Sequence, residues 1–152
     1  MSDKAKQDNI QRALKRARHY FFLNPYEDMA FTRCPKCDEK TKIRKHCLVI
    51  HIDPKFLLSL NKICRYCPNC DLIIVKQAEL EGLLAAICEE YEPDIVGNVY
   101  FVFGTLDRKD WKEGQTGKIS QQEGIKRAYP FKEVWKFEVR PGGWYPAKQA
   151  RS

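Results

Sequence analysis

Two copies of one short pattern constrain this chain more than any other feature. Cys34-Pro35-Lys36-Cys37-Asp38 and Cys67-Pro68-Asn69-Cys70-Asp71 both read Cys-Pro-x-Cys-Asp, and 29 residues lie between Cys37 and Cys67. Two thiols three residues apart on a tight turn can hold one edge of a tetrahedral metal site. A second such turn brought alongside supplies the other edge, which is how structural zinc sites with four thiolates are built. Proline after the first cysteine fixes φ and shapes the turn. The amides that follow are free to donate to the sulfurs, which steadies thiolate ligands. The expected metal ligands are Cys34, Cys37, Cys67 and Cys70, and the expected cofactor is Zn²⁺.

Other uses of the cysteines fit less well. Met1 is followed by polar and charged residues rather than an apolar run, so the expected location is cytoplasmic, where disulfides are rare. A redox Cys-x-x-Cys needs no twin. Cys64-Arg65-Tyr66-Cys67 is also a Cys-x-x-Cys, so Cys64 competes with Cys70 as the partner of Cys67. The shared proline and aspartate favour Cys70. Cys47 and Cys88 read as buried free thiols, and His46 and His51 as strand residues rather than ligands.

Charge is unevenly distributed. The chain has 152 residues and a formal charge of +7; four thiolates remove four charges and a divalent ion restores two, leaving +5. Residues 77–110 carry two Lys/Arg against eight Asp/Glu, while residues 1–33, 34–76 and 111–152 carry +3, +5 and +5. A basic shell around one acidic stretch suggests a polyanionic partner. No apolar run has the length of a membrane-spanning helix.

Residues 3–22 predict a helix with an apolar stripe at Ile10, Leu14, Ala17 and Phe21. A basic stripe of Arg12, Lys15, Arg16 and His19 accompanies it. Residues 42–53 alternate as a strand. Asp53-Pro54 reads as a helix start, giving a short helix or turn across residues 55–61. Residues 72–75 form a buried strand. Residues 77–91 form a helix with Leu80, Leu83, Leu84, Ile87 and Tyr91 on its apolar face, and Pro93 stops it. Residues 99–106 are a strand, and Gly104-Thr105 leads into a helical turn. Ser120-Gln121-Gln122-Glu123 fits a capping box. Residues 131–140 alternate as an antiparallel partner for the 99–106 strand.

The two Cys-Pro-x-Cys turns, spaced for hairpins, resemble the zinc-ribbon group over about residues 31–76. The strand and helix that follow look like the zinc-binding half of some toxin–antitoxin regulators. The resemblance implies a metal-scaffolded binding module and leaves the task open, because ribbons serve transcription factors, ribosomal proteins, nucleases and antitoxins. The expected fold class is α+β, a zinc ribbon joined to a small antiparallel sheet with flanking helices. Residues 1–30 would be a basic N-terminal helix, 31–76 the ribbon, and 77–152 a helix plus β region packed with it.

The leading functional expectation is a nucleic-acid-binding protein, RNA or DNA. Arg12, Lys15, Arg16, Lys36, Lys42, Arg44, Lys45 and Arg65 would meet phosphate, with Tyr66, Trp135, Trp144 or Tyr145 as stacking platforms. The alternative is a protein-interaction adaptor or antitoxin-like regulator, resting on the acidic helix. A third reading is a metal-dependent nuclease, in which Asp94 with Asp107 or Asp110 would hold Mg²⁺ and Lys109 or Lys112 would orient water.

Overall fold

Strand-forming sequence dominates the middle of the chain, where β-branched and aromatic residues alternate with polar ones. A computed structural model of the chain describes residues 16–115 and 126–147. The strands are β1 (Tyr20–Asn24), β2 (Lys42–Ile52), β3 (Phe56–Cys67), β4 (Leu72–Lys76), β5 (Tyr100–Leu106), β6 (Tyr129–Pro130), β7 (Glu133–Trp135), β8 (Phe137–Arg140) and β9 (Gly143–Pro146). The helices are α1 (Gln77–Tyr91) and α2 (Arg108–Gln115), with a 3-10 turn at Pro93–Ile95. The class is mixed α and β.

The described residues fall into two units, and each draws on all three of the divisions expected from sequence. One contains residues 16–18, 46–62, 100–115 and 126–132; the other contains 19–45, 63–99 and 133–147. The long strands β2 and β3 pass from one to the other. In the first unit the strands pair in the order β6-β5-β2-β3, and in the second β3-β4-β1-β7, with β8 and β9 as a separate hairpin.

In the first unit β2 and β5 are antiparallel, with Cys47 opposite Leu106 and Ile52 opposite Tyr100. Cys47, Val49, Leu106 and Ala128 form its buried cluster, flanked by Phe103 and Trp111. Gly104 lies within β5, and the helical turn expected after it is α2, which begins at Arg108. Gly104 pairs with Pro130, and a Cβ there would collide with the Tyr129 carbonyl, so only glycine permits this close approach.

In the second unit β1 lies between β4 and β7 and is parallel to both, with Phe22 opposite Ile74 on one side and Trp135 on the other. The sheet is therefore mixed, where the sequence predicts an antiparallel one. Phe22, Phe31, Leu72, Ile74 and Phe137 make the core with Cys34 and Cys67. The Phe22 ring packs edge-on against Phe31 at 5.3 Å and Phe137 at 5.0 Å.

Three expectations are corrected. Residues 16–22 are not helical: His19 has φ of 67° and β1 begins at Tyr20, so Phe21 is buried by sheet pairing rather than by a helical stripe. The earlier part of that expected helix, with Arg12 and Lys15, lies outside the described residues, as does the capping box at Ser120. Residues 56–61 belong to β3, because a short apolar run satisfies a strand as readily as a helix. Residues 131–140 split into β7, paired with β1, and β8, paired with β9, and it is β6 that pairs with β5.

Candidate metal centre

Each cysteine pair sits where the chain reverses. At the first, Arg33 bridges to Lys40, the Cys34 amide donates to the Glu39 carbonyl at 2.8 Å, and the Asp38 amide donates back to the Cys34 carbonyl at 2.9 Å. At the second, Cys67 ends β3 and Leu72 begins β4, the two being paired in register. The residue after each turn is left-handed, Asp38 with φ of 64° and Asp71 with φ of 56°. A short polar side chain tolerates that region better than most. The repeated aspartate therefore has a backbone reason.

The two turns bring four sulfurs together. All four Sγ atoms of Cys34, Cys37, Cys67 and Cys70 lie within 4.8 Å of one another. The Cys34–Cys70 separation is 3.9 Å and the Cys37–Cys67 separation is 3.5 Å. With zinc–sulfur bonds of about 2.3 Å, the edge of a regular tetrahedron is about 3.8 Å. The two measured separations bracket that value on opposite edges, each edge joining one turn to the other. Cys64 is buried but stands outside this group.

The surroundings act on the thiols in opposite directions. The Lys36 amide donates to Cys34 Sγ and the Cys70 amide to Cys67 Sγ, both at 3.4 Å. Burial pushes the Cys34 thiol up to about 11, against the opposing pull of the Cys37 and Lys36 amides. Burial, then the hydrogen bond with Cys37, pushes Cys70 upward too. Cys37 goes the other way. Burial raises it, but hydrogen bonds from the Asn69 side chain and the Glu39 amide outweigh that and bring it down to about 7. Without a cation the neighbouring sulfurs disfavour ionisation of Cys34 and Cys70; a divalent ion would remove that conflict.

One arrangement beside the centre has no sequence signal. Asp71 Oδ1 accepts from the Tyr66 hydroxyl at 2.5 Å and lies 2.6 Å from His19 Nδ1. The Tyr20 amide also donates to the Asp71 carbonyl at 2.8 Å. The contact is created by the parallel pairing of β1 with β4, which joins residues 52 positions apart. Burial and the neighbouring Asp71 carboxylate both raise the Tyr66 phenol above its ordinary range.

The basic candidates divide. Lys42, Arg44 and Lys45 are exposed along the start of β2, Lys36 is exposed on the first turn, and Arg65 is half-buried on β3. Arg16 instead donates to the carbonyls of Lys126 at 2.6 Å and Arg127 at 2.9 Å. Most of the aromatic platforms are already engaged. Trp135 stacks on Tyr20 at 4.2 Å, and Lys36 Nζ stands 4.2 Å from the same ring centroid. Trp144 packs against Tyr26 and Phe31, and Tyr66 is tied to Asp71. Tyr145 is the most open of the four.

Two of the three carboxylates of the nuclease reading have cation partners: Asp107 is 3.5 Å from Arg18, and Asp110 is 2.8 Å from Arg127. Among the described residues, no helix is long and apolar enough to cross a membrane. Comparisons with protein-family models, curated proteins and solved structures found no match. The sulfur cluster defines this much: a chain with a site compatible with a structural metal ion.

Proposed function

We propose that Cys34, Cys37, Cys67 and Cys70 hold a structural zinc ion, and that the scaffold so fixed presents the basic start of β2 to nucleic acid. The observation that carries the first part is the pair of sulfur separations, 3.9 and 3.5 Å, on opposite edges of one tetrahedron. All four positions are protein thiolates, so the site is closed and has no place for a substrate or water; its role is structural rather than catalytic. Tetrahedral sulfur admits zinc or iron. Metal analysis of reduced protein separates the two: one zinc per chain is expected, and iron or no stoichiometric metal would overturn the assignment.

The nucleic-acid reading is supported by Lys42, Arg44 and Lys45, all exposed on β2, with Lys36 and Arg65 in the same unit. The engagement of Trp135, Trp144 and Tyr66 favours contact with phosphate over base stacking, a mode that is strongly salt-dependent and tolerant of sequence. Filter binding in rising salt tests it. Replacing Lys42, Arg44 and Lys45 together by alanine is expected to weaken binding uniformly across sequences and lower the salt slope by up to about three. Affinity indifferent to salt, or absent for both DNA and RNA, would remove the reading.

A further inference from the structure

Helix α1 has a face that the metal centre and the basic strand leave unused. It buries Leu80, Leu84 and Cys88. Leu83, Ile87 and Tyr91, spaced four apart, form a second stripe beside the buried one. Leu83 is 41% exposed and Tyr91 67%, with Ile87 half-buried between them. At 3.6 residues per turn, Glu79 and Glu90 border this stripe on its solvent side, and both are exposed. Val96 and Val99, which follow the helix in the chain, are exposed as well.

The charge along this stretch of chain is one-sided. From Gln77 to Leu106 there are six Asp/Glu and no Lys or Arg, in a chain whose net charge is +7. A surface helix ordinarily turns its apolar residues inward; here part of the apolar stripe meets solvent on a stretch of chain whose charged residues are all acidic. We propose that this face docks a basic amphipathic segment of a partner protein. Aliphatic or aromatic anchors would cover Leu83, Ile87 and Tyr91 while flanking Lys or Arg side chains reach Glu79 and Glu90. Charge selects that occupant. Two-fold pairing with a second copy sets like charges against each other, and nucleic acid is repelled for the same reason. The surface is independent of the basic strand residues, so it stands or falls separately from nucleic-acid binding.

The test uses full-length, zinc-containing protein and a fluorescein-labelled synthetic peptide with Leu at helical spacing and Lys on its flanks. Two further peptides carry Glu in place of Lys, or Ser in place of Leu. The Leu/Lys peptide is expected to bind and to shift the amide resonances of residues 79–91. Its affinity should fall roughly tenfold in Leu83→Ala with Tyr91→Ala, and comparably in Glu79→Gln with Glu90→Gln. The Glu and Ser peptides should bind more weakly than the Leu/Lys peptide. Metal content confirms that the variants fold. Resonance shifts away from the helix, unchanged affinity in the variants, or equal binding of the Ser peptide would overturn the proposal. So would self-association in sedimentation that the same variants abolish, which would make a second copy the occupant.

Discussion

Replacing Cys34 by serine tests the metal centre most directly. A serine hydroxyl stays protonated where a coordinated thiol ionises, so the 3.9 Å edge to Cys70 loses one corner and the tetrahedron opens. With free zinc about a thousandfold above its dissociation constant, ion binding contributes about 4 kcal/mol to wild-type stability. A domain of this size shifts by roughly 2–4 °C per kcal/mol, so loss of that contribution lowers the melting temperature by roughly 8–16 °C. Cys34 is also 2% exposed and packs among Phe22, Phe31 and Phe137, so serine has a packing cost as well. Far-UV melts in zinc and in chelator separate the two effects: in chelator the two proteins differ only by packing, and in zinc by both. Cys64→Ser is the control, being buried yet outside the sulfur group, and it should retain a full equivalent of metal. A Cys34→Ser protein with stoichiometric zinc, or a wild type whose melt ignores chelator, would refute the reasoning.

Three further outcomes follow from the same geometry. Cys34 and Cys70 have raised pKa values, so at neutral pH both enter the site as thiols and zinc binding must expel their protons. Affinity is therefore expected to climb with pH and fall on acidification, and calorimetry in buffers of differing ionisation enthalpy should register the release; a pH-independent constant would contradict this. Cys37, brought down to about 7, is far more ionised near neutrality than Cys34 or Cys70, so iodoacetamide should label it ahead of them in metal-free protein, and peptide mass spectrometry locates the label. First modification at Cys70 would show the order to be wrong. Asp71→Ala removes the acceptor shared by Tyr66 and His19 and places a Cβ-bearing apolar residue at φ of 56°. A loss of about 1–3 kcal/mol is expected by denaturant titration, and Asp38→Ala, at the matching position, should cost less because Asp38 lacks those partners.

Local signals made the site readable. Cys-Pro-x-Cys-Asp appears twice, and each turn is a short-range event that its own residues dictate. Which sulfur faces which was not written locally: Cys34 meets Cys70 and Cys37 meets Cys67 only once two hairpins are docked. Helix α1 was legible to its ends, because its period and Pro93 agree. The stretch before the cysteines was not, since Phe21 fits a helical stripe as well as a strand. The deciding event is β1 lying between β4 and β7, a parallel pairing that no neighbouring residue announces. The early half of β3 failed for a related reason, Asp-Pro being a turn signal as much as a helix start.

The position of β1 also bears on how the protein is made. A ribosome delivers Tyr20–Asn24 long before Glu133–Trp135 and Phe137, the strand that flanks β1 and the ring that covers Phe22. All four sulfurs, by contrast, lie within residues 34–70, 63 positions or more before Glu133, and can emerge while that late strand is still being synthesised or threaded out. Metal capture can thus precede completion of the aromatic core, pinning the early segments in place until their late neighbours arrive.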